Sequence, residues 1–324
     1  MEAPSATLLV PGGIERLTGG NLYDGVMVAA LRNRGWRVDV DEAQPRQGVD
    51  VVIQDSLSIP AGPPGGEAQL VALLHQVPSD AQGRAGWREA EDAVLQRASV
   101  VIAVSDHIAR TVSARTEARV VVIPPGWDRA SARRRSEDAE VLCVANATPV
   151  KGIPDALEAF RRAKLDQATF TLVGDAQRDP SEWERIHAAA SAGGVALVLD
   201  GLVPPDALAE RYAAARVILS ASRYEGWPIA IAEAMASAVP VVAFDVPGVR
   251  ELVRDGVDGL LVEPGDIDAL AAALRRVWEE PALRSRMGLE AKRRATAWPT
   301  WDQSAARFVE VIEALVADRQ RTSR

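Results

Sequence analysis

Two glutamates stand eight positions apart, Glu225 and Glu233, in the segment SASRYEGWPIAIAEAMASAVPVVAF (220–244). The apolar run VILSA (217–221) reads as a strand, SRYEGWP as the turn after it, and Pro228 suits the first turn of a helix. This places Glu225 and Gly226 at the C-terminal end of a strand, where open α/β sheets bind ligands. The N–H groups of Gly226, Trp227 and Ile229 then face the crevice at the positive end of the helix, a position suited to a diphosphate. Glu233 falls about five residues into the helix, roughly 7 Å further along its axis. Two carboxylates so placed can each grip a hydroxyl-bearing part of one extended ligand.

The elements that must hold this turn are legible along the chain. Short apolar runs alternate with helical patterns: TLLV (7–10), DVVI (50–53), LVALL (70–74), VVIAV (100–104) and VVVI (120–123) come first. EVLCVA (140–145), FTLVG (170–174), VALVL (195–199), VILSA (217–221), VPVVAF (239–244) and GLLVE (259–263) follow. Continuous apolar runs are what parallel strands show when helices cover both sheet faces, so an α/β protein with five or six strands in each half is expected. The series breaks at IPPGWDRASARRRSEDAE (123–140), which is placed as a linker. The expected division is a first lobe over 1–128, a second over 129–303, and a final amphipathic helix, SAARFVEVIEALVADRQ (304–320), with the tail to 324.

Composition excludes several classes. At 324 residues with 48% apolar and 25% charged residues, the chain is of ordinary globular composition and long enough for two cores. A net charge of −8 argues against broad nucleic-acid binding. The basic cluster Arg129, Arg133, Arg134 and Arg135 is followed at once by acids and reads as a solvated linker. A single cysteine, Cys143, rules out a disulfide framework and fits a reducing compartment. No apolar stretch is long enough to cross a membrane and no leader pattern opens the chain, so a cytoplasmic location without membrane insertion is expected.

The chain resembles the retaining glycosyltransferases of the GT-B fold, in the large family 4. The segment EGWPIAIAE is the most specific element. The resemblance implies that Glu225 approaches the hydroxyls of the donor sugar and Glu233 takes the ribose of its nucleotide. VLCVANATPVKGIPDALEAF (141–160) is similar to the family's first strand of the second lobe with its Lys-Gly turn. Lys151 is thereby expected to stabilise the diphosphate as charge builds on departure. Where the family usually has glycine and arginine, this chain has Ala145 and Asn146, so leaving-group stabilisation leans on Lys151. RLTGGNLYDGVMVAALRNRGWRVDV (16–40) resembles the family's glycine loop and following helix. It implies that the backbone of Gly19 and Gly20 approaches the donor's phosphate or the acceptor, with Thr18 and Asn21 as polar companions. QLVALLHQVP (69–78) resembles the strand that ends in the family's active-site histidine, here His75. Val203, in LDGLVPPDALAERYAAA (199–215), is implied as a backbone contact to the base. Closure of the lobes is expected to bring Gly19, Gly20 and His75 onto the donor.

The implied fold is GT-B, two Rossmann-like doubly wound lobes with a C-terminal helix crossing back to the first. The implied reaction moves a hexosyl group from a UDP- or GDP-linked sugar to an acceptor hydroxyl, with retained configuration and no cofactor. Metal catalysis is not expected: the histidines are scattered, and no Asp-x-Asp pair is read as following a strand. GxSxG and GxGxxG are both missing, against a hydrolase and a dehydrogenase. A sugar-nucleotide epimerase of the same fold and a non-catalytic nucleotide-sugar-binding partner of another transferase remain as alternatives. Residues 1–128 hold 16 acids, 11 arginines and no lysine, so a soluble small molecule or sugar is expected as acceptor in preference to a lipid-linked one.

Overall fold

The computed structural model describes residues 3–15, 18–81, 85–127 and 140–322. The arginine cluster at 129–135, with most of the expected linker, lies outside the described residues. The chain divides into two units, Met1–Gly126 with Pro299–Arg324, and Trp127–Trp298.

The first unit contains β1 (Ser5–Leu9), α1 (Gly19–Asn33), β2 (Arg37–Asp41), β3 (Val51–Asp55), β4 (Gln69–Leu74), α2 (Pro78–Ala81), α3 (Arg88–Arg97), β5 (Val100–Ala103), α4 (Asp106–Ser113) and β6 (Arg119–Val122). The second contains β7 (Glu140–Val144), α5 (Ile153–Ala163), β8 (Thr169–Val173), α6 (Pro180–Gly193), β9 (Leu197–Gly201), α7 (Pro205–Ala214) and β10 (Val217–Ser220). It continues through α8 (Ile229–Ala236), β11 (Val241–Phe244), α9 (Pro247–Leu252), β12 (Gly259–Val262), α10 (Ile267–Glu279) and α11 (Pro281–Ala295). Helix α12 (Trp301–Thr322) returns to the first unit.

Each unit is built on a six-stranded parallel sheet among the described residues, ordered β2-β1-β3-β4-β5-β6 and β12-β11-β10-β7-β8-β9. The central strands are apolar runs because helices cover them: β3 and β5 are buried at every residue. Strand β2 is the one the apolar runs did not reveal. Its sequence RVDVD alternates, Val38 buried between exposed Arg37 and Asp39, because β2 is an edge strand covered on one face. Strand β9 starts two residues later than the run VALVL, since Val195 still donates to the Ala190 carbonyl at the end of α6.

Helix α1 begins where Thr18 accepts the Asn21 N–H (3.1 Å) and ends at Asn33, and Gly35, just past the Arg34 cap, has a φ of +84° that suits glycine. Its buried stripe is Tyr23, Asp24, Met27, Val28 and Leu31. Helix α12 starts three residues before the expected 304, at a reciprocal cap. The Thr300 N–H donates to Gln303 Oε1 (2.9 Å), and the Gln303 N–H donates to Thr300 Oγ1 (3.3 Å). Phe308 of α12 is buried, and its ring and that of Trp301 both meet Tyr23 edge-on, at 6.4 and 6.3 Å. Ser304 Oγ donates to the Pro124 carbonyl, and Gly126 lies so close to Thr300 and Trp301 that a Cβ would overlap their backbone. These contacts place the final helix in the first unit's core.

Candidate functional site

In a doubly wound sheet, the crevice opens where successive strands depart to opposite sides. In the second unit that point lies between β7 and β10, and the turns after these two strands carry Lys151 and Glu225. Lys151 Nζ stands 2.7 Å from Glu225 Oε1, with the side chains 29% and 11% exposed. The pair is therefore reachable from solvent while largely enclosed.

Backbone packing sets this distance. Gly152 has a φ of +60°, and a Cβ there would overlap the Ala221 carbonyl at the end of β10. A side chain is doubly excluded, by conformation and by space. The Arg223 N–H donates to the Val150 carbonyl (2.8 Å), fastening the Lys-Gly turn to the loop that carries Glu225. On the other side Gly248, in the first turn of α9, lies so close that a Cβ would overlap the Glu225 carbonyl. Sequence reading did not single out Gly248.

Helix α8 starts at Ile229, with Pro228 just ahead of its first turn and its carbonyl accepting the Ala232 N–H. Gly226 and Trp227 lie in the turn before it. The Trp227 ring is partly buried and meets Trp298 edge-on at 6.0 Å. Glu233 is the fifth residue of α8, and its Oε2 accepts a hydrogen bond from the Tyr212 hydroxyl of α7 (3.0 Å). Burial, then the Glu233 charge, push the Tyr212 phenol well above its ordinary pKa, so it stays a donor. Tyr212 is a second residue that sequence reading missed. As a tyrosine on the buried side of the helix just before β10, it carried a signal in its placement. Asn146 is tied elsewhere: its Oδ1 accepts the Asp175 N–H (2.8 Å), bracing the turn at Gly174. Val203 lies between β9 and α7, partly buried against the core. The lone cysteine is no nucleophile, for burial pushes the Cys143 thiol up to about 12 against the pull of Lys151.

In the first unit the switch point lies between β1 and β3. Gly19 and Gly20 open α1, the helix that follows β1, and Asp55 ends β3. His75 is the first residue after β4. Its Nε2 lies 2.9 Å from Asp24 Oδ1 and 3.4 Å from Asp55 Oδ2. The acids are 1% and 2% exposed and the histidine 15%. Gly20 stands beside the His75 ring, a Cβ there lying 3.4 Å from Cδ2, and the Tyr23 ring meets His75 edge-on at 5.1 Å. Thr18 and Asn21 serve the loop itself: Thr18 caps α1 and donates to Asn21 Oδ1, while Asn21 Nδ2 donates to the Gly13 carbonyl. The loop after His75 is held where Glu91 Oε2 accepts the Ser79 N–H (3.0 Å), with Arg115 on the other Glu91 oxygen.

Burial alone would lower the His75 pKa. The Asp24 charge and hydrogen bond, with the Asp55 charge, outweigh it and hold the imidazole above its ordinary value. Asp55 is pushed up to about 7 by burial first and by Asp24, against the pull of His75. Asp24 and Asp55 escaped sequence reading. The helical spacing of 24, 27, 28 and 31 puts an acid on the apolar stripe of α1, and DVVIQD ends an apolar strand in an acid.

The grounds for expecting no metal need two corrections. An Asp-Val-Asp pattern, expected to be absent, is present as Asp39-Val40-Asp41 at the end of β2. Its members act locally, Asp39 near Arg46 (3.3 Å) and Asp41 accepting the Ala43 and Gln44 N–H groups. A further pair, Asp266 and Asp268, caps α10 and meets Arg162. The scattered histidines also mislead, because folding brings Asp24 and Asp55 to His75, with one ligand atom of each within 4.8 Å of the others. Both carboxylates address the same nitrogen, at ion-pair distances.

Comparison with known proteins decides the family. The family described as glycosyl transferases group 1 matches residues 127–294, more than half of the chain. This chain belongs to it. Among curated relatives of this group 1 chain, the D-inositol 3-phosphate glycosyltransferase of Geodermatophilus obscurus is 37% identical over 227 residues, 63% of this chain and 50% of that one. The chain thus spans about half the length of such relatives. Of solved structures, sucrose-phosphate synthase from Thermosynechococcus elongatus superposes with a TM-score of 0.84 at 22% identity, covering 98% of this chain and 100% of that one. Anabaena HepE, in complex with UDP and glucose, gives 0.81 at 19% identity, covering 96% and 100%. At these identities the structural likeness speaks for the fold, and the fold of this group 1 chain is GT-B, two units on parallel sheets.

Proposed function

We propose that this chain is a retaining glycosyltransferase that moves a hexosyl group from a UDP- or GDP-linked sugar to a hydroxyl of a soluble acceptor, without a metal ion. The observation that carries this reading is the Lys151–Glu225 pair at the second unit's switch point, with Glu233 further along the same loop and helix. Lys151 meets the diphosphate and takes up the negative charge that grows on it as the sugar departs, together with amides at the start of α8. Glu225, released from Lys151 when phosphate takes the ammonium, accepts hydrogen bonds from sugar hydroxyls. Glu233, fixed by Tyr212, takes the ribose. The departing phosphate oxygen accepts the acceptor's proton on the same face, so configuration is retained and no side-chain nucleophile is needed. Family membership and the HepE complex with UDP and glucose support the choice of donor class. The acidic balance of the first lobe supports a soluble acceptor.

A thermal-shift panel of nucleoside diphosphates and their sugars tests the reading. A true donor at 100 times its dissociation constant adds about 2.7 kcal/mol of stability. The stabilising donor should then yield a product of unchanged anomeric configuration, at a rate EDTA does not alter. An inverted product, or a rate lost in EDTA and restored by metal, overturns the mechanism. Stabilisation without transfer or donor hydrolysis makes the chain a binding partner.

A further inference from the structure

The His75 cluster asks for an explanation beyond the presence of an active-site histidine. Two carboxylates, each almost wholly buried, converge on one ring nitrogen, Nε2. A neutral imidazole would leave the Asp24 carboxylate, and Asp55 whenever it is ionised, facing one weak donor with no opposite charge. Buried charge is tolerated when it is paired, and an imidazolium supplies the pairing. Asp24 Oδ2 is buried with no hydrogen-bond partner, so Asp24 depends on His75 for its compensation. The titratable groups facing the ring from the elements packed around it are Asp24 and Tyr23 of α1 and Asp55 at the end of β3. Tyr23 is no competitor: its hydroxyl donates to the Ile123 carbonyl, and burial holds its phenol protonated. Among the described residues no hydrogen bond reaches the other ring nitrogen, Nδ1.

We propose that Asp24, helped by Asp55, is a positioning residue that keeps His75 an imidazolium and leaves Nδ1–H as its working edge, so that His75 meets its ligand as a cationic hydrogen-bond donor and not as a base. An imidazolium so held has no lone pair with which to take a proton from an acceptor hydroxyl. What it offers is a charged donor, suited to an oxygen that carries or gains negative charge. This rests on the reading of His75 as a residue of a glycosyl-transfer site, but the charge state can be measured without any substrate.

The experiment is an NMR titration of the three imidazoles in the whole chain, with His107→Gln and His187→Gln used for assignment. His75 should titrate above the ordinary value of about 6.5, and Asp24→Asn should lower its midpoint by about one unit or more. In the wild type kcat/KM should fall as pH rises through that midpoint, and the fall should move with the midpoint in Asp24→Asn. Asp55→Asn serves as a second variant should Asp24→Asn not fold, with the same downward shift expected. A wild-type midpoint at or below 6.5, a midpoint unmoved in a folded variant, or a rate that climbs through the midpoint overturns the proposal. A raised midpoint that Asp24→Asn lowers, in a chain that transfers no sugar, keeps the charged histidine and sinks the glycosyl-transfer reading instead.

Discussion

The two switch points solve opposite problems with similar parts. At β7 and β10 one ammonium faces one carboxylate, both partly open to solvent, so a ligand can enter by exchanging partners with them. At β1 and β3 one imidazole faces two carboxylates that solvent barely reaches, so exchange is hindered and the protein biases the charge state. The first arrangement suits a ligand that brings its own strong charge, such as a diphosphate. The second suits fine control over a single proton. A shared topology thus sets where groups gather, and burial decides whether they are kept available or held.

The sharpest way to break this comparison is at the exchangeable pair. Lys151→Ala should lower kcat by about 10²–10³-fold, more than it weakens donor binding, because charge on the leaving diphosphate grows toward the transition state. If steady-state kinetics show only a raised KM, Lys151 is a ground-state binder and the two sites differ less in kind. A smaller effect is expected one helix turn away. Glu233→Gln should weaken nucleotide binding by about 1–3 kcal/mol in calorimetry, and Tyr212→Phe by about 0.5–1.5 kcal/mol. The double variant should cost little more than Glu233→Gln alone, since Tyr212 works through the carboxylate it holds. Additive losses would show that Tyr212 reaches the ligand by another route. The smallest effect expected is on lipid. Co-sedimentation with anionic vesicles at physiological salt should leave the chain in the supernatant, and salt-reversible binding would favour a lipid-linked acceptor instead.

How much of this could be read from sequence follows from the range of each interaction. The Glu225–Glu233 turn was legible because strand end, turn, proline and helix lie in one continuous segment. Lys151 and His75 were placed by resemblance alone; His75 directly follows β4, and Lys151 lies in the turn after β7. What escaped were partners contributed from elsewhere: Asp24 and Asp55 lie 51 and 20 positions before His75, and Gly248 lies 23 positions after Glu225. Strand β2 hid because the apolar-run criterion suits buried strands and RVDVD is an edge. The start of α12 carried its own local signal, Thr300 with Gln303 three residues on, and could have been found.

The first unit's composition from two separate stretches has a consequence for how the protein is made. The ribosome synthesises residues 127–298, the whole second unit, before it reaches the residues that complete the first. At about 5–20 residues per second that interval is roughly 10–35 s. Throughout it the α1 surface around Tyr23 lacks Trp301 and Phe308, its later aromatic neighbours. Of the two units, the one whose synthesis starts earlier is therefore the last to close, and it waits with this aromatic surface uncovered. Damage to α12 should accordingly act on maturation and solubility, leaving the second unit free to reach its own fold.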